Sequence, residues 1–515
     1  MNIQGRAADL YPRQSIRNMD VHTDWEVAGD DAGLGSKDMR LFSRLHTFRG
    51  KIRLFGHFFH AQYILLGLVE FVTFACIPYF VIPLFEAGTT QHLPTHLPMA
   101  TSAFYAMILV FFLVSMGLYD TRQRTGLLRV VLPRLVVAFL MTTIILLLMI
   151  TFYFDGSFDA KRLAQFIVAS FIYSFVLRIY FEKVVDGNIL KRRIVIVGTG
   201  NKAVNFERLR RKTDQRGFEL VSYIPVVAND PIKVSPENAI SLVGNICTYA
   251  LENRIDEIVI ALDDRRRKLP LDDLLDCRMS GINVIEMQDF FERETEKIHL
   301  DFLQPSWLIY AKGFHRNMLR TTTKRVFDVA VSSMLLLISL PVMALVALAI
   351  LVESRGVGPV LYHQRRVGRG GSNFDLIKFR SMCVDAEHDG VARWAEMNDP
   401  RITRVGAFLR KYRLDELPQL WNVLAGDMSI VGPRPERPEF VEKLCNINQF
   451  YRERHRVKPG IAGWAQESYP YGASEKDSIQ KLQYDLYYVK NHGILFDCYV
   501  LAQTVEVVLF GKGSR

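Results

Sequence analysis

Two carboxylates stand side by side in RLDELPQLWN, residues 413–422, directly after LRKYR and inside a chain whose formal net charge is +10. Carboxylates in such a setting serve as nucleophiles or as ligands for hard cations. A plainer reading is equally open: Asp415 caps a helix running through Trp421, with Glu416 and Pro418 in its first turn, where an acid complements the helix dipole and proline loses no hydrogen bond. Cationic residues recur at Lys378 and Arg380 in KFRSM, at Arg410 in FLRKYR and at Arg434 in GPRP. Arginine's planar fork bonds two phosphate oxygens at once, so the set suits an anionic substrate. A basic face against lipid headgroups would have the same composition.

The elements that position these residues are of several kinds. At 515 residues the chain exceeds one ordinary core, and about three domains are expected. Hydrophobic residues reach 49%, high for a soluble protein, while 23% charged residues are too many for a purely embedded one, so the apolar residues must be concentrated. The six cysteines lie far apart without CxxC spacing, which argues against a disulfide framework or a zinc site and fits a reducing compartment. Residues 1–50 form a polar tail with no short apolar core, so no cleavable signal peptide is expected. Four apolar segments follow near 62–85, 101–119, 134–154 and 163–181, each close to the ~20 residues that cross a bilayer as helix. Arg40, Arg44, Arg49, Lys51 and Arg53 precede the first segment, and EAGTTQHLPTHLPMA after it has no Lys or Arg, which places the N-terminus in the cytoplasm. Arg122, Arg124, Arg129 and Arg134 stand in the next connection and KRR after the fourth segment, so four crossings return the chain to the cytoplasm. The net positive charge then reflects cytoplasmic flanks facing anionic lipid and phosphate-rich substrates, and no nucleic acid partner is expected.

RRIVIVGTGNKAVNFERLRR reads as a strand, a glycine turn and a helix, followed by a second strand in FELVSYIPVV. Gly198 and Gly200 match the first two glycines of a dinucleotide fingerprint, but Ala203 stands third and the second strand ends in Ile224-Pro225, without the acid that binds ribose. Further strands in DEIVIAL and INVIEM complete a Rossmann-like α/β domain over 190–310, expected to lack a working cofactor site.

Residues 329–352 are long and apolar enough for another span, yet Lys324 and Arg325 precede them and Arg355, Arg365, Arg366 and Arg369 follow. Positive charge draws both ends to one side. Pro341 in the middle removes a helix hydrogen bond, so a re-entrant hairpin over 326–352, broken at Ser339-Leu340-Pro341, is expected, with a proline-kinked straight span as the alternative.

The order LYHQRRVGRGG, FDLIKFRSM, FLRKYRLDELPQLWNVLAGDMSIVGPRPERPEF, KPGIAGWAQ resembles the bacterial sugar transferase family, monotopic polyprenyl-phosphate phosphoglycosyl transferases that start exopolysaccharide and O-antigen assembly; the similarity covers about 310–515. It implies a mainly α monotopic catalytic domain over 320–515, carrying the re-entrant helix, behind a four-helix transmembrane domain over 51–185. It implies transfer of a sugar-1-phosphate from a UDP-sugar to undecaprenyl phosphate at the inner (cytoplasmic) membrane, with Mg²⁺ as cofactor and UMP as leaving product. Asp415 matches the family's nucleophile, Glu416 a residue that helps hold Mg²⁺, and Arg410 a phosphate-binding position, with Lys378, Arg380 and Arg434 as further phosphate candidates. Asp485 in YDLYYVKN and Asp497 in ILFDCY align with acidic positions of the family and are candidate metal ligands or local caps. Small members of the family commonly carry Ser directly before the Pro of the membrane break, whereas here Leu340 separates Ser339 from Pro341. The GPRP and PGI turns are expected to hold the walls of the site, and YVLAQTVEVVLF to form an interfacial or docking helix. Partners beyond donor, acceptor and bilayer are a homo-oligomer and polysaccharide assembly proteins. Two other functions fit parts of the chain: a non-catalytic membrane sensor or scaffold, against which the intact DE, KFR and GPRP blocks speak, and an NAD-dependent membrane-bound sugar-modifying enzyme, for which no ribose acid or Tyr-Lys pair is visible.

Overall fold

The computed structural model describes residues 51–54, 57–86, 99–119, 130–153, 160–186, 191–207, 217–226, 232–240, 244–263, 269–303, 305–311, 313–314, 318–384, 386, 399–469, 472 and 474–510. All belong to one compact unit, Phe48–Arg515; the expected polar tail and the connection carrying Arg122, Arg124 and Arg129 lie outside the described residues.

A short antiparallel hairpin, β1 (Lys51–Leu54) and β2 (His57–His60), leads into four helices where the four apolar runs lie: α1 (Ala61–Glu86), α2 (Met99–Ser115), α3 (Leu132–Tyr153) and α4 (Ala160–Asp186). Helices α1 and α2 run 26 and 17 residues. Among the described residues, three helices are long and apolar enough to cross a membrane: windows Leu132–Met149 and Leu163–Phe181 in α3 and α4, and a later helix, Met318–Glu353. The described apolar windows of α1 and α2, Ala61–Ile77 and Ser102–Ser115, are shorter. One polar knot fastens α1 to α4: Arg178 pairs with Glu70 at 3.0 Å, Ser174 donates to Glu70 Oε1 at 2.7 Å, and Tyr119 donates to Glu70 Oε2. Both oxygens of Glu70 are satisfied, the condition under which an acid is tolerated in an apolar bundle.

The α/β region is as the sequence suggests. Strands β3 (Arg192–Val197), β4 (Phe218–Ile224), β5 (Glu257–Ile260) and β6 (Asn283–Glu286) form a parallel sheet in the order β4-β3-β5-β6. Successive side chains of a strand face opposite sides, and a parallel sheet is covered on both. Thus Ile194 and Ile196 join one core with Phe206, Phe290 and Phe291, while Val195 and Val197 join another with Ile246 and Leu274. These partners come from helices α5 (Asn201–Glu207), α6 (Ile246–Glu252), α7 (Leu271–Met279) and α8 (Met287–Thr295).

After α9 (Pro305–Tyr310) comes α10, Met318–Glu353, a single 36-residue helix. The expected break at Pro341 is not found: helix runs through Pro341 without interruption. Proline removes one hydrogen bond, and the remaining ladder carries the helix past it. Ser339 Oγ donates to Leu336 O at 3.2 Å, one residue before the Leu337 carbonyl that Pro341 deprives of its helix donor. Leu337, Ile338, Leu345 and Val352 are more than half exposed, as suits an apolar solvent.

The C-terminal region is mainly helical around two small sheets. Strands β7 (Leu361–Val367) and β8 (Asn373–Phe379) form an antiparallel hairpin; β9 (Ser429–Val431) pairs in parallel with β10 (Gly460–Ala462). The helices are α11 (Arg404–Lys411), α12 (Gln419–Ala425), α13 (Pro438–Ile447), α14 (Trp464–Ser468), α15 (Glu475–Asn491) and α16 (Ile494–Phe510). The apolar C-terminal run is a docking helix: α16 packs along α2, with Val505 against the core of the apolar bundle.

Candidate active site

The site is built where α11 ends. Thr403 caps that helix by accepting from Gly406 N at 2.9 Å, and two residues past its end Arg413 takes a left-handed conformation, φ 54°. Such a conformation is uncommon for a residue with a Cβ and marks local strain. It turns the chain into one 3-10 turn, Leu414–Glu416, which buries Asp415 and Glu416 together. The following helix, α12, begins at Pro418 with no side-chain cap, so Asp415 is not spent on capping it.

The two acids differ sharply. Arg434 donates to Glu416 Oε1 at 2.9 Å, and the charges of Lys378 and Arg413 lie 3.8 Å from its oxygens. Burial opposes ionisation of Glu416, but these three cations outweigh it and bring the carboxyl down to about 2. Asp415 accepts no hydrogen bond from any described residue. Burial, and then the charge of Glu416, push its carboxyl above the ordinary aspartate range, with Lys378, Arg434 and Arg410 pulling the other way. Burial also brings the Lys378 ammonium down to about 8 against the pull of Glu416. Arg410 has a buried Nη1 without a partner among the described residues, beside this unclaimed carboxylate. A carboxylate free to attack, ringed by cations of which Arg410 keeps a buried donor without a partner among the described residues, suits an anionic electrophile.

Arg434 is aimed by a chain of contacts beginning in α10. Asp328 Oδ1 accepts from Ile430 N at 3.1 Å and from Ser429 Oγ at 2.9 Å, holding β9, whose end leads into Gly432-Pro433-Arg434. Gly432 lies so close to its neighbour strand that an added Cβ would sit 2.4 Å from Lys458 O, so the expected wall-forming turn rests on a tight strand approach. Behind it, Arg454 donates to Arg434 O at 2.9 Å.

Of the residues singled out in the sequence, Asp415, Glu416, Lys378, Arg410 and Arg434 come together and three others do not. Arg380 turns away to donate to Val357 O at 2.9 Å. Asp485 pairs with Arg454 at 2.8 Å, and Asp497 pairs with Lys324 at 2.6 Å and accepts from Tyr488 at 2.7 Å. These two acids are therefore engaged in buried ion pairs rather than gathered with Glu416, and the described residues contain no group of three or more His, Cys, Asp or Glu arranged to hold a metal. Mg²⁺ does not need one: it is commonly held by one or two carboxylates with substrate phosphates and water, and the free Asp415 beside Glu416 fits that pattern. Arg413, Asp328 and Arg454 were not singled out. Arg413 stood in the quoted stretch, but its conformation has no sequence signal; Asp328 and Arg454 act across 101 and 20 residues of chain.

The family model described as bacterial sugar transferase matches residues 319–511, and one described as CoA-binding domain matches residues 114–284. The chain is 38% identical over 239 residues to the UDP-N-acetylgalactosamine-undecaprenyl-phosphate N-acetylgalactosaminephosphotransferase of Aeromonas hydrophila, covering 46% of this chain and 55% of that protein. It is 32% identical over 332 residues to the undecaprenyl-phosphate glucose phosphotransferase of Komagataeibacter xylinus, covering 63% and 60%. It is 33% identical over 333 residues to the UDP-glucose:undecaprenyl-phosphate glucose-1-phosphate transferase of Klebsiella pneumoniae, covering 63% and 69%. The matched part thus spans 55% and 60% of the lengths of the first two of these relatives.

Proposed function

Because this chain belongs to the bacterial sugar transferase family, we propose that it transfers a hexose-1-phosphate from a UDP-sugar to undecaprenyl phosphate, releasing UMP, in the first membrane step of exopolysaccharide or O-antigen assembly. The observation that carries this reading is the buried, unpartnered Asp415 carboxylate beside a cation-bound Glu416. Asp415 attacks the sugar-proximal phosphorus; an oxygen–phosphorus bond forms to the carboxylate, the diphosphate bridge breaks, and its electron pair leaves with UMP. The phosphate of the lipid acceptor then attacks the same phosphorus and displaces Asp415. Splitting one transfer between two anions into two displacements is what a nucleophilic carboxylate offers. Arg410, Lys378 and Arg434 bind and orient the phosphates. Glu416 and Asp415 are the residues that would hold Mg²⁺, which supplies neutralisation of charge on the leaving phosphate.

The acceptor is a membrane lipid, and the fold offers it a bilayer-facing element. Arg325, before the apolar part of α10, donates to Val423 O at 2.6 Å, while Ile377, after it, donates its N–H to Asn422 Oδ1 at 3.0 Å. Neighbouring residues of α12 thus hold both flanks. On the far arm, Val346 and Ile350 pack with Phe379 and Leu409, and Glu353 accepts from Val405 N at 3.0 Å. This favours a helix that enters the cytoplasmic membrane and returns, bending through the continuous turn at Pro341, with the site on the cytoplasmic side where UDP-sugars are made.

The test is release of UMP by the purified chain with undecaprenyl phosphate, Mg²⁺ and a panel of UDP-hexoses and UDP-N-acetylhexosamines. Release with at least one donor, dependent on the lipid, is expected. No release with any donor contradicts the proposal.

A further inference from the structure

The match to a CoA-binding domain over 114–284 implies a nucleotide ligand for the α/β region, and parallel sheets of this kind take ligands in the crevice at the strand C-termini, where chain connections diverge. Here that place lies between β3 and β5, at the glycine turn leading into α5. In dinucleotide folds the amides of this turn meet the ligand's phosphates. In this chain they meet a carboxylate: Asp263, three residues beyond β5, accepts from Asn201 N at 2.8 Å through Oδ2 and from Lys202 N at 2.9 Å through Oδ1. The two motif glycines are explained by the same approach. An added Cβ on Gly200 would stand 2.3 Å from Asp263 Oδ2, and on Gly198, at φ +122°, 2.8 Å from Ala261 O. Cations of the chain complete the arrangement, Lys202 Nζ donating to Leu262 O at 2.8 Å and Lys233 Nζ to Asn201 Oδ1 at 2.9 Å.

We propose that Asp263 fills the phosphate seat of the α/β region, so that neither CoA nor a nicotinamide dinucleotide binds at the strand-end crevice. A diphosphate entering there would compete with a covalently attached anion for the same two N–H groups and bring further negative charge beside it. The glycine motif persists because Asp263 needs the space, with no nucleotide involved.

Hydrogen–deuterium exchange of the full chain in nanodiscs, followed on peptides covering 198–206, tests this without any activity readout. Millimolar CoA or NAD(H) is expected to leave exchange of these peptides in the wild-type chain unchanged. Asp263→Ala is expected to speed exchange at Asn201 and Lys202 about tenfold, the effect of losing charge-assisted hydrogen bonds. Asp263→Asn keeps the size of the side chain, guards against misfolding of the alanine variant, and is expected to speed exchange less. Protection of the wild-type peptides by CoA or NAD(H), or copurification of either at one per chain, overturns the proposal. So does exchange in the folded variants as slow as in the wild type.

Discussion

Glu416 is surrounded by Arg434, Lys378 and Arg413, while Asp415, one residue earlier, keeps both oxygens unclaimed by the described residues. Opposite shifts on neighbouring acids divide their roles: Glu416 stays ionised at any working pH, and Asp415 ionises later than an ordinary aspartate. The sign for activity follows. A raised Asp415 is progressively protonated as pH falls through its shifted value, so the acid limb of kcat/KM lies above the usual aspartate range. Lys378 loses its charge as pH rises through about 8, which sets the alkaline limb. Lys378→Arg is expected to retain activity and move that limb upward by more than about one unit, because guanidinium does not deprotonate there; an unmoved limb removes Lys378 from the account. Glu416→Gln is expected to leave the protein folded and shift the Mg²⁺ titration to higher concentration, since an amide is a poorer ligand. An unchanged titration rejects that role.

At the scale of elements, the apolar helix α10 and the loop that carries Arg434 are one mechanical piece. Asp328 and Lys324 of α10 hold β9, and Lys324 donates at 3.2 Å to Val431 O, three residues before Arg434. The sequence made the elements of this piece visible but not their bonds. The apolar runs, the four strands and the DE, KFR and GPRP blocks could be read because periodicity, glycine turns and local order are written in neighbouring residues. In the sequence Asp485 and Asp497 look like candidate ligands because an acid's partner is invisible there: Arg454 and Lys324 lie 31 and 173 residues away. Proline's local cost at Pro341 is plain in the sequence, whereas the ladder that carries the helix past it is a property of the whole element. Single cysteines, Thr321→Cys and Ser372→Cys in a cysteine-free background, test the proposed return of α10. Both are expected to resist a membrane-impermeant thiol reagent in intact cells and to react once the cells are opened. Labelling of position 372 in intact cells means that the helix crosses.

Across the whole molecule, the N-terminal hairpin and α8 lock the α/β region to the C-terminal helices. His57 is stacked on Phe496 and bonded to Tyr487 OH at 3.0 Å; Arg53 donates to Asn491 Oδ1 at 2.8 Å; Lys51 pairs with Glu296 at 2.6 Å. Lys490 pairs with Glu292 at 2.6 Å, both buried. Glu292→Ala leaves the lysine buried without its partner, an error that costs about 3–5 kcal/mol. If the α/β region acts as a strut, this change lowers the melting temperature of both regions together in one transition; separate melting of an intact C-terminal region counts against it. Gly198→Val is expected to lower the melting temperature, because the positive φ and the contact with Ala261 O leave no room for a side chain.

Asp415 is the group proposed to attack the sugar-proximal phosphorus. Mass spectrometry of the full chain incubated with its UDP-sugar and Mg²⁺, without lipid acceptor, measures this directly. A hexose-phosphate adduct is expected on the peptide that contains Asp415, discharged when undecaprenyl phosphate is added and absent from Asp415→Asn, whose turnover falls on the order of 10⁴-fold or more. Turnover in Asp415→Asn near that of the wild type, or an adduct on another residue, would contradict it.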